Sequence, residues 1–235
     1  MCEVMGIVNV TPDSFSDGGK YFTPEEAIRR AFNLSEEGAS IIDLGGESTR
    51  PGATPLDWHE EWRRIEPVLT SLVGKLHAKI SIDTYHPETA EKALACGAHM
   101  INCVYIEPAR DIAKMCFASE REVVIPVRAR EFIQDSSCYS SLVYIDPMIG
   151  FGTTREEDIS LLRSIPDFVK LGHVLVGASR KRIVKKLTGE KMVGRNLGGN
   201  LGVAVWAAMN GASAVRVHDV RETVQALRVV DVLKG

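Results

Sequence analysis

Short apolar runs alternate with longer segments of helical period along this chain. The first run, Val4-Met5-Gly6-Ile7-Val8, predicts a strand. Thr23-Pro24-Glu25-Glu26 then opens a helix: Thr23 can cap it, Pro24 suits its first position, and Glu26 sits where a capping box needs it. That helix ends near Glu37-Gly38, and Ser40-Ile41-Ile42-Asp43-Leu44 follows as a buried strand. Asp57-Trp58-His59-Glu60 repeats the capping-box pattern and begins a second helix, running to about Lys75. Lys79-Ile80-Ser81-Ile82 reads as the third strand, and Pro87 starts the third helix. Short apolar strands without alternation, separated by helices, indicate a parallel sheet covered on both faces.

A weak internal repeat sharpens this pattern. Gly38-Ala39-Ser40-Ile41-Ile42-Asp43, Gly97-Ala98-His99-Met100-Ile101-Asn102 and Gly211-Ala212-Ser213-Ala214-Val215-Arg216 share one order: Gly, Ala, two residues, apolar, polar. The glycine fits a helix C-terminus that needs φ > 0, and the polar residue lands near the end of the next strand. The three glycines lie 59 and then 114 positions apart. Two and four βα units of about 29 residues give those gaps, and eight fill the chain's 235 residues. The spacing favours an α/β fold of the TIM (β/α)8 barrel type, as a single domain over residues 1–235. A doubly wound sheet is built from the same units and stays open at this point.

Composition narrows the function classes. With 45% hydrophobic and 25% charged residues the chain is ordinary for a globular protein, which excludes disorder and fibrous repeats. A net charge of −3 argues against a general nucleic-acid binder. No apolar run is long enough to span a membrane, and no secretory signal is visible. The five cysteines, Cys2, Cys96, Cys103, Cys116 and Cys138, form no C-x-x-C pair and read as free thiols of a cytoplasmic protein.

In such a barrel the chemistry belongs at the C-terminal ends of the strands. Polar residues there are Asn9, Asp43, Asp83, Asn102, Asp146, Lys181, Arg216 and His218. Asp83 and Asp146 each follow an apolar run, where a carboxylate is costly unless something donates to it. Each alone could be a structural cap. Both, with Asn102 between them in strand order, suit a flat ligand with several N–H donors, such as an aminopyrimidine ring. Lys181 and Arg216 are cationic, and loops after strands seven and eight commonly hold phosphates. Ser179 is placed to cap a helix whose amides would face that anion. Lys185 and Lys186 read as a solvated helix face. Two long loops, 9–19 and 45–55, are rich in Gly, Pro, Ser, Thr and Asp, a composition expected of mobile lids.

These residues resemble the dihydropteroate synthase family over nearly the whole chain. The motifs are residues 5–19 (MGIVNVTPDSFSDGG), Glu47-Ser48-Thr49-Arg50-Pro51-Gly52, Ser81-Ile82-Asp83-Thr84, Asp146-Pro147 with Gly150-Phe151-Gly152, Ser179-Arg180-Lys181, and Arg216-Val217-His218-Asp219-Val220. The resemblance implies an enzyme of folate synthesis that joins 6-hydroxymethyl-7,8-dihydropterin diphosphate to p-aminobenzoate and releases diphosphate. It implies that Asp83, Asn102, Asp146, Lys181 and Arg216 hold the pterin. Asn9, Arg216 and His218 would receive the diphosphate, with Asn9 near Mg2+. Asp17, Thr49, Arg50, Pro51, Phe151 and Ser179 would shape the p-aminobenzoate pocket and its loops. Asp83, Asp146, Lys181, Arg216 and His218 would carry the catalysis. A homodimer is also implied, with no nucleic-acid or membrane partner.

The chain departs from the family pattern in several places. Cys103 stands where the family has Asp, Met148 where it has Gly, and Thr153 where it has Lys. Val127 replaces a pterin-contacting Met, and Arg182 follows Lys181 where some members carry Ser. Only residues 131–145 separate Arg130 from Asp146, so the helix after strand five is expected to be shortened or missing. Two other readings compete with an active synthase. One is a pterin-binding homologue without activity; the other is a methyltransferase using a methylated folate.

Overall fold

The computed structural model describes residues 2–11, 23–47, 54–129, 141–190, 192 and 194–235. Eight parallel strands close into a barrel in sequence order, β1 pairing with both β2 and β8. They are β1 (Glu3–Asn9), β2 (Ile41–Gly45), β3 (Lys79–Asp83), β4 (Met100–Asn102), β5 (Glu122–Pro126), β6 (Val143–Asp146), β7 (His173–Val176) and β8 (Ala214–Val217). Closure excludes the doubly wound alternative.

The helices are α1 (Pro24–Glu36), α2 (Trp58–Leu72), α3 (Pro87–Ala95), α4 (Ile106–Ala118), α5 (Arg155–Arg163), α6 (Ile165–Val169), α7 (Arg182–Thr188), α8 (Leu197–Met209) and α9 (Val220–Lys234). No described helix lies between β5 and β6, where single 3₁₀ turns at 127–129 and 141–142 flank residues outside the description. Among the described residues no helix is long and apolar enough to cross a membrane.

Local chemistry accounts for the element ends. In α1, Thr23 Oγ1 accepts the Glu26 N–H (3.3 Å) and the Glu26 carboxylate accepts the Thr23 N–H (3.2 Å), the expected capping box. The same box opens α5 with Thr154 and Glu157. It does not form at α2. There Asp57 accepts from the His59 N–H instead, and Glu60 turns outward to Arg63 and Arg64. Gly38, Gly97 and Gly211 have φ of 102°, 100° and 92°, as the repeat requires.

Alternation along the strands divides the core. Val4, Val8, Ile42, Leu44, Ile80, Ile82 and their equivalents pack outward against the helices. Met5, Ile41, Met100, Val124, Tyr144, Leu175 and Ala214 fill the barrel interior as a separate cluster. Below them Lys79 bonds Glu122 (2.8 Å), and the Tyr144 hydroxyl donates to Glu3 (2.8 Å). These pairs close the N-terminal end, and the polar strand ends lie on the opposite, C-terminal side of the cluster.

Candidate active site

Asp43, Asn102 and Arg216 occupy the polar position of the three Gly-Ala repeats, and the barrel brings them together. Asn102 Nδ2 donates to Asp43 Oδ2 (3.1 Å), and Arg216 Nε donates to the same oxygen (2.6 Å). A second guanidinium nitrogen of Arg216 reaches Asp83 Oδ2 at 2.7 Å. Asp43 and Asn102 are fully buried. Three more atoms face the same interior without a protein hydrogen-bond partner: Asp43 Oδ1, Asn102 Oδ1 and Ser81 Oγ. Buried acceptors in this state are costly unless a ligand donates to them.

Lys181 approaches from the β7 side. Its ammonium donates to the Ile149 carbonyl (2.6 Å) and lies 4.2 Å from the centroid of the Phe151 ring. Asp146 Oδ1 accepts the Met148 N–H (2.7 Å). These groups converge beside Gly177: a Cβ there would lie 3.9 Å from Lys181 Nζ, 3.9 Å from Arg216 Cβ and 4.0 Å from Asp146 Oδ2.

Burial dominates the electrostatics. It pushes the Asp83 carboxyl up to about 7; Arg216 pulls it back, and Asp43 pushes the same way as burial. Asp146 is also raised by burial, against the pull of Lys181 and the Met148 N–H. Burial lowers the Lys181 ammonium to about 8, with Asp146 opposing. Burial works against the Arg216 charge too, yet Asp43 and Asp83 hold it firmly protonated. Three carboxylates thus face two cations. Among the described residues these are Asp43, Asp83 and Asp146 against Lys181 and Arg216.

Cys103 does not add to that count. Its thiol is buried, pushed up to about 12 by that burial, and donates to the Tyr105 carbonyl (3.5 Å). Cys2, Cys96 and Cys116 are also free thiols.

The remaining expected residues divide into two groups. His218 and Ser179 meet at the mouth, where His218 Nδ1 and Ser179 Oγ are 3.1 Å apart. This corrects the capping role expected of Ser179: α7 begins later, with Lys181 at its cap position and no side-chain cap bond. The serine spends its hydroxyl on the histidine instead. Asn9 ends β1 beside Gly45, where a Cβ would lie 3.9 Å from Asn9 Oδ1 and 3.8 Å from Asp83 Oδ2. Asp17, Thr49, Arg50 and Pro51 lie outside the described residues, as does Cys138. Val127 is half-buried just past β5.

No group of three His, Cys, Asp or Glu side chains among the described residues could hold a metal alone. Asn9 offers one amide oxygen at the mouth, which fits a hard cation held mainly by phosphate oxygens and water.

Comparison with known proteins agrees with this geometry. The family model described as pterin binding enzyme matches residues 5–132 and 128–218. Dihydropteroate synthase of Escherichia coli K12 is 37% identical over 255 aligned residues, covering 97% of this chain and 90% of that protein. The Xanthomonas albilineans dihydropteroate synthase solved with 4-aminobenzoic acid superposes with a TM-score of 0.91 at 37% identity, covering 100% of this chain and 93% of that one. The same enzyme in complex with 7,8-dihydropteroate gives a TM-score of 0.87 at 34% identity, with 100% and 94% covered. Motifs, closed barrel and relatives converge: the chain belongs to the pterin-binding enzymes, among the dihydropteroate synthases.

Proposed function

We propose that this chain is a transferase that condenses 6-hydroxymethyl-7,8-dihydropterin diphosphate with p-aminobenzoate, giving 7,8-dihydropteroate and diphosphate. The observation that carries the reading is the set of buried, unpartnered acceptors, Asp43 Oδ1 and Asn102 Oδ1, beside Asp83 and Asp146. Such a floor accepts hydrogen bonds from the N–H edge of a pterin, and Lys181 donates to the ring from the other side.

The reaction breaks the bond from the pterin methylene carbon to the diphosphate oxygen, and the electron pair leaves with diphosphate. Ionised Asp83 and Asp146 favour the positive charge that develops on the pterin. His218 and Asn9 supply polar contacts for the leaving group at the mouth. Arg216 is engaged by Asp43 and Asp83, so it acts on the diphosphate from a fixed position. The p-aminobenzoate nitrogen then bonds to the methylene carbon and gives its proton to diphosphate or water. Asn9, together with substrate phosphate oxygens, would hold Mg2+, which supplies further charge neutralisation on the leaving group. No side-chain nucleophile is needed.

Two further assignments belong to this reading. The free, mostly buried thiols suit a reducing compartment, so we place the enzyme in the cytoplasm. We also assign a homodimer. Its support is the apolar outer face of α8 and α9, where Trp206, Met209, Val229 and Val232 are exposed.

An assay with both substrates and Mg2+ tests the function. Dihydropteroate and diphosphate should form in equal amounts. Tight pterin binding with neither product would instead mark a binding subunit, and methyl transfer from a methylated folate would mark a methyltransferase.

A further inference from the structure

Thr153 stands where the family carries lysine, and none of the chemistry above uses it. Its neighbourhood shows what it does here. The segment from Met148 to Gly152 has three residues in left-handed backbone: Met148 at φ 69°, Gly150 at 78° and Gly152 at 68°. Glycine enters that region readily, whereas Met148 does so at a cost that its surroundings must offset. One end is fixed by the Met148 N–H on Asp146. The other is fixed by Asp158, a fully buried carboxylate in the first turn of α5.

Asp158 Oδ1 accepts the Gly150 N–H (2.7 Å) and the Thr153 hydroxyl (2.5 Å). Thr153 Oγ1 also accepts the same Gly150 N–H (3.0 Å). Arg155 faces the second carboxylate oxygen at 3.5 Å. One N–H, one hydroxyl and one carboxylate therefore close a triangle on Gly150.

That triangle bears on Lys181. A Cβ at Gly150 would lie 3.1 Å from Lys181 Cδ, so the glycine is the wall on which the lysine stem rests. The neighbouring Ile149 carbonyl takes the ammonium, and the Phe151 ring lies beneath it. Three consecutive loop residues thus cradle one side chain, and Asp158 with Thr153 locks the middle one. We propose that Thr153 and Asp158 are positioning residues that set the pose of Lys181 for the pterin. The inference rests on the reading that Lys181 contacts the pterin.

Asp158 acts electrostatically as well as sterically. Among the groups facing Lys181, Asp146, Asp158 and Asp83 favour its charged form, while burial and Arg216 oppose it. Removing the Asp158 charge should therefore move the lysine's titration to lower pH.

The test uses the intact enzyme and four variants: Thr153→Val, Asp158→Asn, Asp158→Ala and Lys181→Met. Each is checked for folding by circular dichroism and thermal melting. The readouts are pterin affinity, using a 6-hydroxymethylpterin probe, and the pH profile of kcat/KM for the pterin diphosphate. Asp158→Ala should lose about 10- to 100-fold in kcat/KM, with KM for p-aminobenzoate changed less than threefold. Asp158→Asn should recover most of that loss, because its amide oxygen still accepts from Gly150, yet keep a basic limb shifted to lower pH. Thr153→Val should fall between them. Folded Thr153→Val and Asp158→Asn with wild-type affinity and pH profile would overturn the inference. If Lys181→Met also binds the pterin normally, the reading of Lys181 fails with it. If only Lys181→Met loses binding, that reading stands and the positioning role alone is lost.

Discussion

Met148 carries a side chain at φ 69°, where the family has glycine. Left-handed backbone costs a residue with a Cβ roughly 1–2 kcal/mol. Comparing Met148→Ala with Met148→Gly isolates that strain, because both variants lose the same half-buried side chain. In ordinary backbone alanine is the more stable by about 0.5–1 kcal/mol. Here the order should reverse, with glycine about 1 kcal/mol more stable by urea denaturation. Alanine equal or better would mean that the segment relaxes around the missing side chain. The residue scale also shows what sequence reasoning could reach. Asp83, Asn102, Asp146, Lys181 and Arg216 were legible as strand-end polar groups, and the barrel brings them together. Asp43 occupies the same repeat position, but the sequence alone gives it no role, because its partners Asn102 and Arg216 lie 59 and 173 residues away. Asp158 is one of three acids in the first turn of α5, and nothing in the sequence singles it out. Ser179 carries a local pattern that fits a cap, while its actual partner, His218, lies 39 residues on.

At the scale of elements, the repeat was the most informative signal. Each Gly-Ala step turns a helix end into the next strand, and the glycine makes the turn possible. At Gly97, with φ 100°, a Cβ would also come within 3.1 Å of Val73 Cγ1. Backbone strain and contact add, so Gly97→Ala should destabilise by more than about 1 kcal/mol. A neutral effect in thermal melting would show that the turn is not constrained as described. Strand order followed from periodicity, because parallel strands buried on both faces are recognisable as short apolar runs. The capping boxes were less uniform. Thr23 and Thr154 form theirs, whereas Asp57 does not, since Glu60 finds Arg63 and Arg64 on its own helix face. Where two partners compete for one carboxylate, a local pattern does not decide the outcome.

At the scale of the whole molecule, a buried carboxyl at the barrel mouth makes stability depend on pH. In the folded state the Asp83 carboxyl is raised to about 7, above the ordinary value of about 4. A raised carboxyl contributes stability that is fully present below the unfolded value and lost as pH rises through the folded one. The ligand-free protein should therefore lose this contribution, on the order of a few kcal/mol, between about pH 4 and pH 7. Urea denaturation of wild type and Asp83→Asn across that range isolates it. Their stability difference should grow with pH in favour of the variant, and a flat difference would refute the raised carboxyl. A bound pterin should reverse the trend, because its ring donors favour the ionised form. The central claim is that this barrel, despite Cys103, Met148 and Thr153, uses its buried carboxylates to make dihydropteroate. Its most direct test follows labelled p-aminobenzoate into product with wild type and with the near-isosteric Asp146→Asn. Steady turnover by wild type, reduced at least 100-fold in a folded Asp146→Asn, is the predicted result. No labelled product from wild type, or equal rates from both proteins, would contradict the account.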